Sequence, residues 1–175
     1  MRFVLAAAAF AAFPGLLAGP AQAEVVSATP QGFEVRAQAT VATSPQAVWA
    51  MLGRIERWWS PDHSYSGKAA NLSLKPEVGG CFCEALDGGG RVEHLRVVYA
   101  APGKTLRLQG GLGPLQGEGA AGSLTWTLKA VPAGTEISQT YVVGGYIRMG
   151  AEKLAPLVDG VMKEQLGRLA GVVGK

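Results

Sequence analysis

Five side chains able to do chemistry fall within one short stretch: Cys81, Cys83, Glu84, Glu93 and His94. Residues 81–86 and 91–99 alternate on either side of Asp87-Gly88-Gly89-Gly90, the pattern of a β-hairpin. A register that sets Leu86 opposite Arg91 brings Glu84 opposite Glu93, Cys83 opposite His94 and Cys81 opposite Arg96. Alternation then divides the hairpin into two faces. One carries Phe82, Glu84, Leu86, Glu93, Leu95, Val97 and Tyr99; the other carries Cys81, Cys83, Ala85, Val92, His94, Arg96 and Val98. The first holds the larger apolar groups and is assigned to the interior. Facing carboxylates on one sheet repel, so Glu84 and Glu93 would share a proton or hold a cation, and one could serve as a general acid or base. A register one residue off, or an arginine such as Arg91 at the rim, would leave the two glutamates ordinary.

With the opposite face inward, Cys81, Cys83 and His94 would come together as a thiolate with its base, or as part of a zinc or copper site. C-x-C with one histidine is short of the usual zinc spacing, and small structural thiols are the simpler reading. A disulfide between the two is not expected in a regular strand. Their Cβ atoms would stand ~6.5–7 Å apart, against the ~3.5–4.5 Å a bridge needs; a bulge near Gly79-Gly80 would relax this. Asp62-His63 sits in a loop after Trp59, as a solvated turn or near a cavity mouth.

The other candidates are apolar. Phe82, Leu95, Leu108, Trp126 and Tyr141 would form walls for a flat hydrophobic or aromatic molecule, with the tyrosine hydroxyl orienting it and Trp59 at its entry. Plain core filling is the competing reading. The glycines at 88–90 and 110–122 precede strands rather than helices, so they make no phosphate cradle, and neither G-x-S-x-G nor H-E-x-x-H occurs. No cofactor is expected.

The elements that position these residues follow from periodicity. The chain of 175 residues opens with Arg2, an apolar run Phe3–Phe13, a break at Pro14-Gly15 and Ala21-Gln22-Ala23. These are the features of a secretory signal cut near Ala23-Glu24. The run is shorter than the ~20 residues that span a bilayer, so the expectation is a secreted or periplasmic bacterial protein with no stable membrane anchor after cleavage. Without Arg2 there remain 15 basic and 13 acidic side chains. They are scattered, which argues against nucleic acid as a partner.

Residues 24–32 lack periodicity and are expected to be a flexible lead to one domain over 33–175. Phe33 to Val41 alternates as a half-buried strand. Ser44-Pro45 then supplies an N-cap and a first helical residue, with Gly53 dividing two short helices that end at Trp58-Trp59. Short strands are expected over 71–75, 81–86, 91–99, 105–109, 123–129 and 136–143, with 110–122 a flexible glycine-rich connection. Residues 149–173 carry an apolar stripe at helical spacing, including Leu154, Val158, Met162, Leu166 and Leu169. Pro156 lies within it and should kink it or mark its start.

This order resembles the SRPBCC superfamily, the START and Bet v 1-like helix-grip fold. The residues that carry the resemblance are Ser44-Pro45-Gln46-Ala47-Val48-Trp49, Trp58-Trp59, Val78-Gly79-Gly80, Leu124-Thr125-Trp126-Thr127-Leu128 and the closing helix. Within the superfamily the chain is most similar to the polyketide cyclase and heat-shock ATPase activator-homologue branch, over about residues 33–173. The resemblance implies an α+β fold in which a curved antiparallel sheet of six or seven strands wraps a long C-terminal helix. It also implies a cavity for a small hydrophobic or aromatic molecule, with Trp59 and 110–122 controlling access. The alternatives are a cyclase or hydrolase using Glu84 and Glu93, and a metal or thiol protein using Cys81, Cys83 and His94. Fold alone does not choose among them.

Overall fold

The computed structural model describes residues 21–173. The apolar run and positive start of the expected signal lie outside the described residues. The architecture is α+β: an open sheet of eight antiparallel strands in the order β1-β2-β8-β7-β6-β5-β4-β3, closed by one long C-terminal helix. The strands are β1 (Gln22–Thr29), β2 (Gly32–Val41), β3 (Leu72–Leu74), β4 (Cys81–Ala85), β5 (Arg91–Ala101), β6 (Thr105–Gly110), β7 (Gly119–Val131) and β8 (Gly134–Tyr146). The helices are α1 (Pro45–Leu52) and α2 (Ala151–Val173). No helix among the described residues is long and apolar enough to cross a membrane.

β2 buries Phe33, Val35, Ala37, Ala39 and Val41, the alternation its sequence carries. Ser44 caps α1 by accepting the Ala47 N–H at 3.3 Å. Gly53 ends that helix, and a 3-10 turn at Ile55–Arg57 takes the place of the second short helix. α2 packs across β1 and β2. It runs unbroken through Pro156, whose ring faces solvent. Its second half buries Met162, Gln165, Leu166, Leu169 and Ala170.

Two expectations for the chain's course are corrected. Residues 24–32 are not a loose lead, because 22–29 form β1, paired with β2 from Gln22↔Gln38 to Thr29↔Gly32. This edge strand shows no period of two because Val25 and Val26 are both exposed, and a register shift falls between Val25 and Ser27. Ladder hydrogen bonds to β2 hold it, with only the small side chains of Ala23 and Ala28 packed against the core. The stretch 110–122 is likewise more ordered than its glycines imply: β6 reaches Gly110, a 3-10 turn spans Gly113–Gly117 and β7 begins at Gly119. Gly122 has a packing role. A Cβ there would overlap the Tyr141 ring, which lies against the strand at that point.

Candidate functional site

The site begins with a register shift. Cys81 pairs with Arg96 and Phe82 with Leu95, as alternation predicts, but Cys83 then pairs with Glu93 and Glu84 with Val92. His94 has no opposite residue, so β5 carries a β-bulge there. A bulge breaks the alternation, and consecutive residues His94 and Leu95 are both buried. Beyond the bulge Glu93 is thrown to the outer face. The expected Glu84–Glu93 pair therefore does not exist: Glu84 is fully buried, whereas Glu93 lies outside and pairs with Arg96.

In place of that pair the bulge makes another. His94 Nε2 stands 2.9 Å from Glu84 Oε2. The same carboxylate accepts the backbone N–H groups of Tyr65 at 3.0 Å and Ser66 at 2.6 Å. Burial opposes ionisation of Glu84, but the hydrogen bonds from Ser66, Tyr65 and His94 outweigh it and hold the carboxyl below its ordinary value. An ionised carboxylate can only accept, so Nε2 is the protonated ring nitrogen. Burial pushes the His94 pKa down despite its bond to Glu84, which keeps the ring neutral near pH 7. Nδ1 is thus an unprotonated acceptor, and it has no hydrogen-bond partner among the described residues. The ring stacks on Tyr65, with centroids 5.8 Å apart, and meets Phe82 at 4.9 Å.

The segment that donates to Glu84 is itself fixed to α2. Gln165 Oε1 accepts the Ser60 N–H at 2.7 Å, Arg168 Nε donates to the Trp58 carbonyl at 2.8 Å, and His63 meets Glu164 at 3.0 Å. The Trp59 indole N–H donates to the His63 carbonyl at 3.0 Å, closing the loop on itself. Residues 58–66 therefore link the helix to the buried carboxylate.

A cavity of about 390 Å³ opens between α2, this loop and the sheet. Trp59, Phe82, Tyr141, Tyr65 and His94 line one side, Leu154, Leu157, Val158, Val161 and Met162 the other, and Leu112–Leu115 the mouth. Along the apolar stripe in the first half of α2, Leu154, Val158 and Val161 are half-buried and Leu157 is exposed, because the stripe faces this space instead of protein. Tyr141 accepts the Leu112 N–H at 3.1 Å, so the mouth loop is tied to the wall. Burial raises that tyrosine's pKa to about 12.

Of the five expected wall residues, Phe82 and Tyr141 line the cavity. Leu95, Leu108 and Trp126 do not; they are fully packed core. Trp126 donates to Gln139 Oε1 at 2.7 Å, and Gln139 Nε2 donates to the Met162 carbonyl at 3.1 Å, so this buried amide joins sheet to helix. Trp59 is a buried wall rather than a gate, whereas part of the 110–122 connection does border the opening. Asp62 and His63 also reach the lining. His94 enters the lining from the face that alternation assigned outward, because the bulge turns it in.

Cys81, Cys83 and His94 are not brought together. The two cysteines lie on the outer face and form a disulfide with each other, their Cα atoms 5.3 Å apart. That distance is shorter than the ~6.5–7 Å between such positions in a regular strand, and the register shift of the ladder falls between Phe82 and Cys83. The two cysteine sulfurs and the Glu93 carboxylate lie within 4.8 Å of one another, so the outer cluster includes Glu93 in place of His94.

Comparison with known proteins agrees with this architecture. The sequence model of the family described as polyketide cyclase / dehydrase and lipid transport matches residues 32–174. Protein MLL2253 of Mesorhizobium loti is similar in structure at 20% identity and TM-score 0.57, over 80% of this chain and 96% of that one. CalU16 of Micromonospora echinospora aligns at 15% identity and TM-score 0.57, over 88% and 83%. DynU16, from the dynemicin biosynthetic locus, aligns at 18% and 0.55, over 80% and 46%. At these identities the likeness is one of fold. No curated protein matches the chain.

Proposed function

Because the chain belongs to the polyketide cyclase / dehydrase and lipid transport family, a branch of the SRPBCC helix-grip superfamily, we propose that it is an exported protein that binds a small, largely hydrophobic molecule between its sheet and α2. One observation carries the reading: a space of about 390 Å³ walled by aromatic rings on one side and aliphatic side chains on the other. Small-molecule sites have this size and this make-up, with a few polar groups to orient the occupant.

Binding is favoured over turnover by how the cavity's hydroxyls are used. Ser64 donates to the Pro61 carbonyl at 2.7 Å, Tyr65 to Gly113 at 2.9 Å and Tyr141 to Gly110 at 3.3 Å. Each is engaged with backbone, so none is a free donor aimed at a charge that develops during reaction, as electrostatic catalysis needs.

Export is supported by the leader's composition and by the Cys81–Cys83 disulfide, a bond of oxidising compartments. N-terminal sequencing of the protein secreted by its host is expected to begin at Glu24; an intact Met1 in the purified protein would refute processing. Native mass spectrometry of that material against its denatured mass tests the binding itself. An added organic mass supports a cargo. A bare mass, together with no displacement of an environment-sensitive hydrophobic dye by any apolar compound, would overturn the reading.

A further inference from the structure

The cavity has one polar feature that no internal contact explains. His94 is 3% exposed, it lines the cavity, and its Nδ1 has no partner among the described residues. A buried acceptor without a donor costs free energy, and Glu84 fixes which nitrogen it is by taking the proton of Nε2. The electrostatic setting is equally one-sided. Glu84 lies behind the ring, Asp62 lines the cavity, and none of the described residues lining it is lysine or arginine. His63, the other imidazole in the lining, already faces Glu164 at 3.0 Å, and the charge on Glu84 would repel an anion in this low-dielectric space.

We propose that the ligand of this cavity is a neutral hydrophobic molecule bearing a hydroxyl donor, a phenol or alcohol, which is anchored by donating to His94 Nδ1, and that carboxylic acids and phosphates are excluded. The inference rests on the small-molecule reading above and narrows it. His94 is the specificity group and Glu84 the positioning residue that sets its tautomer. Tyr65, stacked on the imidazole, and Phe82 hold the ring in place, and their faces continue the aromatic wall that a planar ligand would cover.

The test uses three probes of one shape on the purified protein: 2-naphthol, 2-methoxynaphthalene and 2-naphthoate, measured by calorimetry at neutral pH. The naphthol should bind at least about tenfold tighter than the ether, the fold-change of one good buried hydrogen bond, and the naphthoate weakest of all. In His94→Phe the naphthol should fall to the level of the ether, while the ether changes by less than about threefold. Glu93→Gln, on the outer face, should leave all three unchanged. Equal binding of naphthol and ether to the wild type would overturn the anchor while leaving the cavity reading intact. Tightest binding of the naphthoate would overturn the exclusion of acids. Failure of all three probes to bind would remove the small-molecule reading itself. Should His94→Phe not fold, nitrogen NMR of the wild-type imidazole decides independently. Nδ1 should resonate as an unprotonated nitrogen and move toward the hydrogen-bonded position with naphthol; a protonated Nδ1 in the free protein would overturn the proposal.

Discussion

Glu84 and His94 meet inside the protein because Phe82↔Leu95 and Cys83↔Glu93 are consecutive pairs of one ladder, leaving His94 unopposed between them. The bulge exchanges partners. It takes Glu93 out to solvent, brings a histidine in, and turns an expected carboxylate pair into a neutral acceptor backed by an ionised glutamate.

The two glutamates should therefore respond very unequally to substitution. Glu84→Gln puts an amide NH2 against either the Tyr65 or the Ser66 N–H, both of which now point at carboxylate oxygens. A loss of about 3 kcal/mol is expected, the scale for breaking a buried charged hydrogen-bond network. Glu93→Gln removes only an exposed pair with Arg96 and should cost less than ~1 kcal/mol. Urea unfolding of both variants checks this; equal losses would contradict the register.

Acidification should destabilise the fold through His94. Its pKa is lowered by burial from 6.5, so between the lowered value and 6.5 the unfolded chain binds the proton that the folded ring refuses. Stability is then complete above pH 6.5 and falls as the pH drops through that window. Glu84, lowered from 4.5, adds loss of the same sign at more acid pH. Melting temperatures of wild type and His94→Phe between about pH 7 and pH 5 should show the steeper fall in the wild type. Parallel slopes would mean that the ring is not buried neutral.

The Cys81–Cys83 bridge closes a very short loop. Loop-closure stabilisation shrinks with loop length, so the entropic gain should be below about 2 kcal/mol. The double change Cys81→Ser and Cys83→Ser should keep the fold and lower its melting temperature modestly. Intact-mass measurement of the purified protein should find the two thiols unreactive to iodoacetamide until a reductant is added. Alkylation without reductant would show them free.

Filling the cavity should separate binding from folding. Val158 is half-buried and faces the space from α2. Val158→Trp should occupy part of that volume and weaken naphthol binding by more than about tenfold, with far-UV dichroism unchanged. Undiminished binding would place the ligand elsewhere.

Much of this protein was determined locally by its sequence. β2, α1 with its Ser44 cap and α2 each bury a face against a neighbour, and burial of one face writes a period into the chain: two for Phe33 to Val41, three to four for Leu154 to Leu169. Their order carried the family and the α+β architecture. The wall positions Phe82 and Tyr141 were legible for the same reason, as large apolar groups on inward faces, whereas Trp59, expected at the entry, is a buried wall. Leu95, Leu108 and Trp126 have the same pattern and pack as core, because a period tells inside from outside but not wall from filling.

What the tertiary structure decided is register. A bulge belongs to two strands and the turn between them. The Glu84–His94 bond and the outward Glu93 both follow from one residue without a partner. The edge strand β1 is a further case: hydrogen bonds to β2 hold it, and those depend on backbone groups that every residue carries. Side-chain chemistry can be read along a chain, whereas the pairing that brings two such chemistries within 2.9 Å exists only after the strands have met.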